Sequence, residues 1–144
     1  GLGKAKPVSE WATLGVVPRS GAFANRNLLA NVILPQGRNG PAFLAYPNFD
    51  VYFEWNQSFI YVTTAAYFAT RLEGAQIFDA GVPDVGLTGS EMKQLQTLLE
   101  SYGYDVGDID GILGAKTRLA IQDVQQRLGL PADAWPTPAL LNQL

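Results

Sequence analysis

Apolar residues recur at helical spacing in two segments of the second half of the chain. In each segment they are three or four positions apart, which places them on one face of a helix. The first set is Met92, Leu95, Leu98 and Leu99, and the second is Thr117, Ala120, Ile121, Val124 and Leu128. The pattern predicts two amphipathic helices, each with one face in a core.

Capping residues mark the ends of these helices. Thr88 and Glu91 have the spacing of a capping box in front of the first helix. Gly129 follows the second helix at a position where a left-handed residue commonly ends a helix. Thr137 and Pro138 are an N-cap residue and a first-turn proline, so they predict a third helix near the end of the chain.

Four glycines lie between the two predicted helices, every three or four residues. They are Gly103, Gly107, Gly111 and Gly114. Glycine adopts backbone conformations that a side chain obstructs, so the spacing predicts a loop that turns repeatedly.

The first half of the chain has a mixed pattern. Residues 7–11 open a short helix with Ser9 as its N-cap, and Gly15 ends it. Residues 27–34 and 42–46 predict two strands joined as a hairpin. Residues 49–55 fit either a strand or a helix, and we favour a helix. Residues 58–72 predict a mostly apolar, largely buried helix that stops at Gly74.

Residues 74–89 contain four glycines, one proline and two aspartates between strongly periodic segments. We therefore divide the chain into a first part at 1–79, a linker at 80–87 and a second part at 88–144. The predicted fold class is α+β.

The amino-acid composition excludes several classes of function. The 47% hydrophobic and 11% aromatic residues are typical of a packed protein. Neither part is basic, which argues against nucleic acid or an anionic membrane as the main partner. The chain has no cysteine and no histidine, so disulfides, thiol nucleophiles, Ser-His-Asp triads and the usual zinc sites are excluded. No apolar run reaches about 18 residues, and no signal peptide is recognisable at the N-terminus.

Three aspartates in the glycine loop suggest a calcium site, but their spacing is wrong. If Gly111 were the sixth residue of an EF-hand loop, the first ligand would be Val106 and the twelfth would be Thr117. We interpret Asp105, Asp108 and Asp110 as a solvated acidic surface, and we predict no metal and no cofactor.

The second part resembles the three-helix peptidoglycan-binding module that ends many cell-wall hydrolases. The matching features run from L-Q-x-L-L at residue 95 through Asp110-Gly111 to Gly129-Leu130-Pro131. The family usually repeats its Asp-Gly turn before the last helix, whereas this chain has Asp133-Ala134-Trp135-Pro136. The groove beside the glycine loop offers Tyr104, Asp105 and Arg118 as candidate contacts for glycan or stem peptide. Alternatively, the loop only connects helices.

Residues 6–72 resemble the C-terminal portion of the lysozyme-like catalytic domain of B-type lytic murein transglycosylases. The most specific elements are P-N-F at residue 47 and W-N-x-S-x-x-Y at residue 55. Enzymes of this family cleave the glycan between N-acetylmuramic acid and N-acetylglucosamine without water and form a 1,6-anhydro sugar. A single glutamate with a raised pKa serves as acid and base.

The resemblance implies site residues within the W-N-x-S-x-x-Y motif. Asn56 and Tyr61 correspond to residues that line the cleft beside the catalytic glutamate, and their amide and aromatic face suit an uncharged sugar. Ser58 and Trp55 belong to the motif as well. Structural alternatives remain: Ser58 is a plausible helix N-cap, Trp55 a core or cleft-wall residue, and Tyr61 a packing residue.

The catalytic glutamate of the family lies upstream of the matched portion, so we expect none in this chain and expect the chain to be part of a longer enzyme. Asp50 and Glu54 do not replace it, because carboxylates four apart on one helix face do not bracket a sugar. The expected partners are peptidoglycan and an upstream portion of the enzyme, in the periplasm of the bacterial cell envelope. The alternative function is a non-catalytic peptidoglycan-binding protein.

Overall fold

The computed structural model describes residues 5–56 and 58–144. Within this part of the chain there are three strands and six helices. The strands are β1 (Lys6–Pro7), β2 (Leu29–Ile33) and β3 (Phe43–Ala45), and the helices are α1 (Val8–Thr13), α2 (Asn48–Trp55), α3 (Phe59–Leu72), α4 (Gly89–Ser101), α5 (Ala115–Arg127) and α6 (Pro138–Leu141). The predicted α+β fold class is confirmed.

The strands form a small antiparallel sheet in the order β1-β2-β3. Lys6 lies opposite Ala30, and Ile33 lies opposite Phe43, which confirms the predicted hairpin. Both hairpin strands are shorter than predicted. The sheet packs on α2 and α3 through a cluster of Ile33, Ala45, Phe49, Phe59 and Val62.

The segment at 49–55 is a helix, as favoured from its pattern. The prediction for α3 is only half right. Its bounds and its stop near Gly74 are confirmed, but Phe59 and Val62 are its only buried residues among those described. Large apolar side chains such as Phe68 and Leu72 are more than half exposed, so the expectation of a largely buried helix is wrong.

The N-cap predicted for α1 is also wrong. The cap is Pro7, and Ser9 is the second residue of the helix. The backbone N–H groups of Val8 and Ser9 donate to the carbonyls of Leu28 and Arg26, so contacts with the chain before β2 fix where this helix begins.

Helices α4, α5 and α6 enclose a second core, made of Met92, Leu95, Leu99, Val106, Ala120, Ile121, Val124 and Leu140. The capping box of Thr88 and Glu91 is present. Gly129 is left-handed, and Thr137 caps α6 with Pro138 in its first turn. Leu128 differs from expectation, since it is the C-cap residue of α5 and is 44% exposed.

The second core meets the first part of the chain through a loop at residues 133–136. The Asp133 carboxylate accepts the N–H of Arg38 at 3.0 Å. The Trp135 indole donates to the carbonyl of Asp84 at 2.9 Å, and its ring packs against Gly37 and Gly86. The tryptophan therefore lies between the β2–β3 connection and the segment predicted as a linker.

Candidate functional site

The residues of the W-N-x-S-x-x-Y motif meet where α2 passes into α3. Asn56 is the C-cap of α2 and has extended backbone angles, which end the helix. Its side-chain oxygen accepts the N–H of Ser58 at 2.8 Å. The Ser58 hydroxyl then accepts the N–H of Tyr61, so Ser58 is the N-cap of α3. The motif thus forms a short connection held by the hydrogen bond that Asn56 accepts and by the Ser58 helix cap.

Two aromatic side chains of this junction face solvent as a pair. Trp55 is 66% exposed and Tyr61 is 50% exposed. Their ring centroids lie 5.3 Å apart at an angle of 54°. Neither side chain is a core residue, so packing alone does not account for them. An exposed aromatic pair offers the kind of apolar surface on which a sugar ring stacks.

Polar groups suited to a sugar lie beside this pair. Among the described residues, neither the Asn56 amide nitrogen nor the Tyr61 hydroxyl makes a hydrogen bond. Both are available to a ligand rich in hydroxyl and N-acetyl groups. We refer to Trp55, Asn56, Ser58 and Tyr61 as the junction site.

The two acidic residues of α2 do not form a catalytic pair. Asp50 and Glu54 are both exposed and lie on one face of a single helix. A glycosidase that uses two carboxylates holds them on opposite sides of the sugar, about 5–9 Å apart. This arrangement supplies no acid that faces a second one across a cleft.

Two of the predicted contacts in the second part are engaged locally. The Tyr104 hydroxyl donates to the Asp123 carboxylate at 2.5 Å, and this hydrogen bond raises the pKa of Tyr104. Asp105 forms an ion pair with Lys116 at 2.7 Å and accepts the N–H of Gly107. The ion pair, followed by the backbone N–H, lowers the pKa of Asp105.

Arg118 is largely buried against the first part of the chain, and its predicted role as a wall contact stays a prediction. Only 8% of the residue is exposed. Its guanidinium donates to the carbonyls of Leu34 and Pro35 and stacks on the ring of Phe59. Local sequence patterns do not reveal these contacts, because Leu34 and Pro35 lie more than 80 positions away in sequence and Phe59 lies in the other part of the chain.

Sequence reasoning missed Gln96 and Gln125, two buried side chains that organise the loops of the second part. Gln96 donates to the carbonyls of Asp108 and Ile112 and to the carboxylate of Asp110, and it accepts the N–H of Gly111. Gln125 has the same role at residues 133–135. The detectable signal was a glutamine beside a core residue in each helix, one position after Leu95 and Val124.

Within the described residues, no group of three or more acidic side chains is arranged to hold a metal ion. No helix there has the length and apolarity that crossing a membrane requires.

Two family models match the chain, one on each part. Residues 1–70 match the model described as "Transglycosylase SLT domain", and residues 88–144 match "Putative peptidoglycan binding domain". The first part is thus similar to a transglycosylase segment, and the second part is similar to a peptidoglycan-binding domain. Both resemblances drawn from the motifs are confirmed, and both associate the chain with the bacterial cell envelope.

Solved structures of SltB3 from Pseudomonas aeruginosa match the whole arrangement. They are complexes of that protein with NAG-anhNAM-pentapeptide and with NAG-NAM-pentapeptide. In both cases the identity is 38%, the TM-score is 0.76, and the match covers 99% of this chain but 39% of the SltB3 chain. A spore cortex-lytic enzyme of Bacillus cereus is 32% identical over 63 residues, which are 44% of this chain and 24% of that protein. The chain therefore spans well under half the length of these relatives.

Proposed function

We propose that this chain is part of a lytic transglycosylase that cleaves the bond between N-acetylmuramic acid and N-acetylglucosamine and releases 1,6-anhydromuropeptides. The junction site binds the glycan, and the peptidoglycan-binding domain holds the enzyme on the wall. Its setting is the periplasm. The observation that carries the proposal is the exposed Trp55–Tyr61 pair beside Asn56, in a segment that matches a transglycosylase model.

The chemistry of the junction site suits positioning rather than proton transfer. Asn56 and Tyr61 offer neutral donors and acceptors, and Trp55 offers an apolar face. A general acid must hold a proton near neutral pH and reach the glycosidic oxygen. Asp50 and Glu54 lie on one exposed helix face, so we assign the acid to a part of the enzyme outside this 144-residue sequence.

The relatives support the substrate class. SltB3 is described with two muropeptides, one of which carries the anhydro sugar. The 38% identity with SltB3 extends over nearly all of this chain, which favours the same kind of ligand. No cofactor is required, because the muramoyl hydroxyl is itself the nucleophile in this reaction.

The test incubates purified peptidoglycan sacculi with the 144-residue chain and, separately, with a longer form of the enzyme. We expect the chain to sediment with sacculi and to release no anhydromuropeptides by mass spectrometry, while the longer form releases them. Anhydro products from the chain alone would refute our placement of the acid. Binding without products from either form would favour a non-catalytic wall-binding protein.

Variants separate the two binding regions. Trp55→Ala and Tyr61→Ala should weaken binding of a soluble NAG-NAM tetrasaccharide and leave wall sedimentation nearly unchanged. Tyr104→Phe and Asp105→Asn should weaken sedimentation, and Asp108→Asn in the same exposed loop is their control. Equal sedimentation of all three loop variants would mean that this loop only connects α4 and α5.

A further inference from the structure

Arg118 belongs to α5 of the peptidoglycan-binding domain, but its charged group lies against the transglycosylase segment. One guanidinium nitrogen donates to the carbonyl of Pro35 at 2.6 Å and another to that of Leu34 at 3.4 Å. The guanidinium carbon is 4.5 Å from the centre of the Phe59 ring. A single side chain therefore links the domain to both the β2–β3 connection and α3.

Phe59 connects this contact to the junction site. It is the first residue of α3 and is 5% exposed. Tyr61 lies two residues later in the same helical turn, which is capped by Ser58. A helical turn moves as a unit because its backbone angles are fixed, so the position of Phe59 determines where Tyr61 faces Trp55.

The burial of Arg118 against the first part of the chain is unusual for a contact that has only a structural role. No carboxylate of the described residues forms an ion pair with Arg118, and its Nε has no partner among them. Burial lowers the pKa of Arg118 to about 10. The charge of Asp133 opposes this shift without forming an ion pair with Arg118. A buried charge without a direct ion pair is expensive, and an apolar residue of similar volume often stabilises a fold equally well. Arginine supplies what such a residue lacks, namely fixed donor directions and stacking on an aromatic face.

We propose that Arg118 is a positioning residue for glycan binding at the junction site. It bridges the Phe59 ring and the carbonyls of Leu34 and Pro35, and it thereby keeps Tyr61 in its binding orientation. The wall-binding domain thus contributes to substrate binding without touching the substrate. This inference rests on the proposed function of the junction site.

The experiment is a double-mutant cycle of Arg118→Met and Tyr61→Ala in the 144-residue chain. The readout is the Kd of a NAG-NAM tetrasaccharide, measured by calorimetry well below the melting temperature of every variant. We expect Arg118→Met to weaken binding about fivefold and to have no further effect in the Tyr61→Ala background. Arg118→Lys, which keeps the cation but not the planar fork, should recover part of the loss. Lys93→Met removes an exposed cation from the same domain and is the control.

Unchanged affinity of Arg118→Met, or effects that add fully with Tyr61→Ala, would overturn the proposal. Failure of the junction site itself would appear differently, as no tetrasaccharide binding or as binding that Tyr61→Ala does not alter. Amide hydrogen exchange then decides about Arg118. We expect Arg118→Met to speed exchange at residues 58–62 and to leave residues 92–99 unchanged. Unaltered exchange at 58–62 would refute the positioning role.

Discussion

Ala134 and Gly111 adopt the same left-handed backbone conformation in two loops of the second part of the chain, with φ of 58° and 82°. In both loops the N–H of this residue donates to a buried glutamine side chain at 2.9 Å. In both, the preceding aspartate accepts the N–H two residues further on. The turn at Asp133-Ala134 therefore repeats the turn at Asp110-Gly111, with alanine where glycine fits better.

Replacing Ala134 by glycine should stabilise the protein. A left-handed conformation costs an L-residue roughly 1–2 kcal/mol, and glycine is free of that cost although it loses more backbone entropy on folding. We expect Ala134→Gly to raise the free energy of unfolding by about 1 kcal/mol. Urea unfolding followed by circular dichroism measures the change.

The reverse substitution in the first turn is the matched control. A Cβ on Gly111 would lie 2.6 Å from the carbonyl oxygen of Gly89, a backbone atom that cannot easily move. We expect Gly111→Ala to lower the free energy of unfolding by more than about 2 kcal/mol. A loss of stability in Ala134→Gly would contradict the equivalence of the two turns.

The buried glutamines should be essential for these turns. Gln96 is 1% exposed and makes four hydrogen bonds across the glycine loop. Methionine has a similar length but leaves those loop groups without their partner, so we expect Gln96→Met to cost about 2–3 kcal/mol of unfolding free energy. Gln125→Met should cost a similar amount. Gln94→Met, at an exposed position of α4, should change stability by less than about 0.5 kcal/mol, and an equal loss there would refute the assignment.

Local signals predicted much of the helical structure because the interactions that end a helix lie within a few residues. The capping box of Thr88 and Glu91, the left-handed Gly129 and the Thr137 cap all appear where the sequence placed them. Ser58 was predicted as a sugar contact or, alternatively, as a helix N-cap. The structure confirms the cap, which is another local interaction.

The incorrect predictions involve partners far apart in sequence. Periodicity shows which face of α3 is apolar, but it does not show how much of that face is covered. Helix α1 begins at Val8 because carbonyls before β2 accept its first backbone N–H groups. Local spacing does not reveal these partners, so Ser9 was wrongly predicted as the N-cap. The burial of Arg118 was not predicted either, because no local pattern reveals a partner such as Phe59 in the other part of the chain.

The junction site was predictable only through its motif. Composition and spacing do not distinguish an exposed tyrosine from a packed one, and the structure resolves this for Tyr61, which is half exposed against Trp55. The substrate roles of these residues stay predictions.

Acid should destabilise the protein through carboxylates of the second part. Hydrogen bonds from Ile112 and Gln96 lower the pKa of Asp110. The hydrogen bond from Lys116 lowers the pKa of Asp105, and that from Thr88 lowers the pKa of Glu91. A carboxylate whose pKa is lower in the folded state contributes stability above its unfolded pKa, and this contribution is lost as the pH falls through the folded value. We therefore expect the melting temperature to be level above pH about 5 and to fall below pH about 4.

Asp110→Asn isolates one contribution to this acid effect. The amide oxygen of asparagine still accepts the N–H of Ile112, but the side chain no longer titrates. The melting temperature of this variant should fall less steeply between pH 4 and pH 2 than that of the unaltered chain. A slope as steep as in the unaltered chain would show that the hydrogen bonds of Asp110 do not contribute to the acid effect.

The contact between the two parts can be tested at Gly37. This residue has φ of 74°, and a Cβ placed on it would lie 2.7 Å from the Cβ of Trp135 and 3.0 Å from the Asp133 carboxylate. Gly74 has φ of 88° and nothing within 4 Å of such a Cβ. Alanine at either position carries the cost of a left-handed backbone, roughly 1–2 kcal/mol, but only Gly37→Ala also displaces the tryptophan.

We expect Gly37→Ala to lower the free energy of unfolding by about 2 kcal/mol more than Gly74→Ala does. Because the Trp135 indole also holds the carbonyl of Asp84, its displacement should expose residues 79–87 to protease. In limited proteolysis under native conditions, the protease should cut Gly37→Ala within residues 79–87 faster than it cuts the unaltered chain. It should cut Gly74→Ala at the same rate as the unaltered chain. If the two variants were equally stable and equally cleaved, the additional clash at Gly37 would cost nothing. The loop at residues 133–136 would then not hold the two parts together.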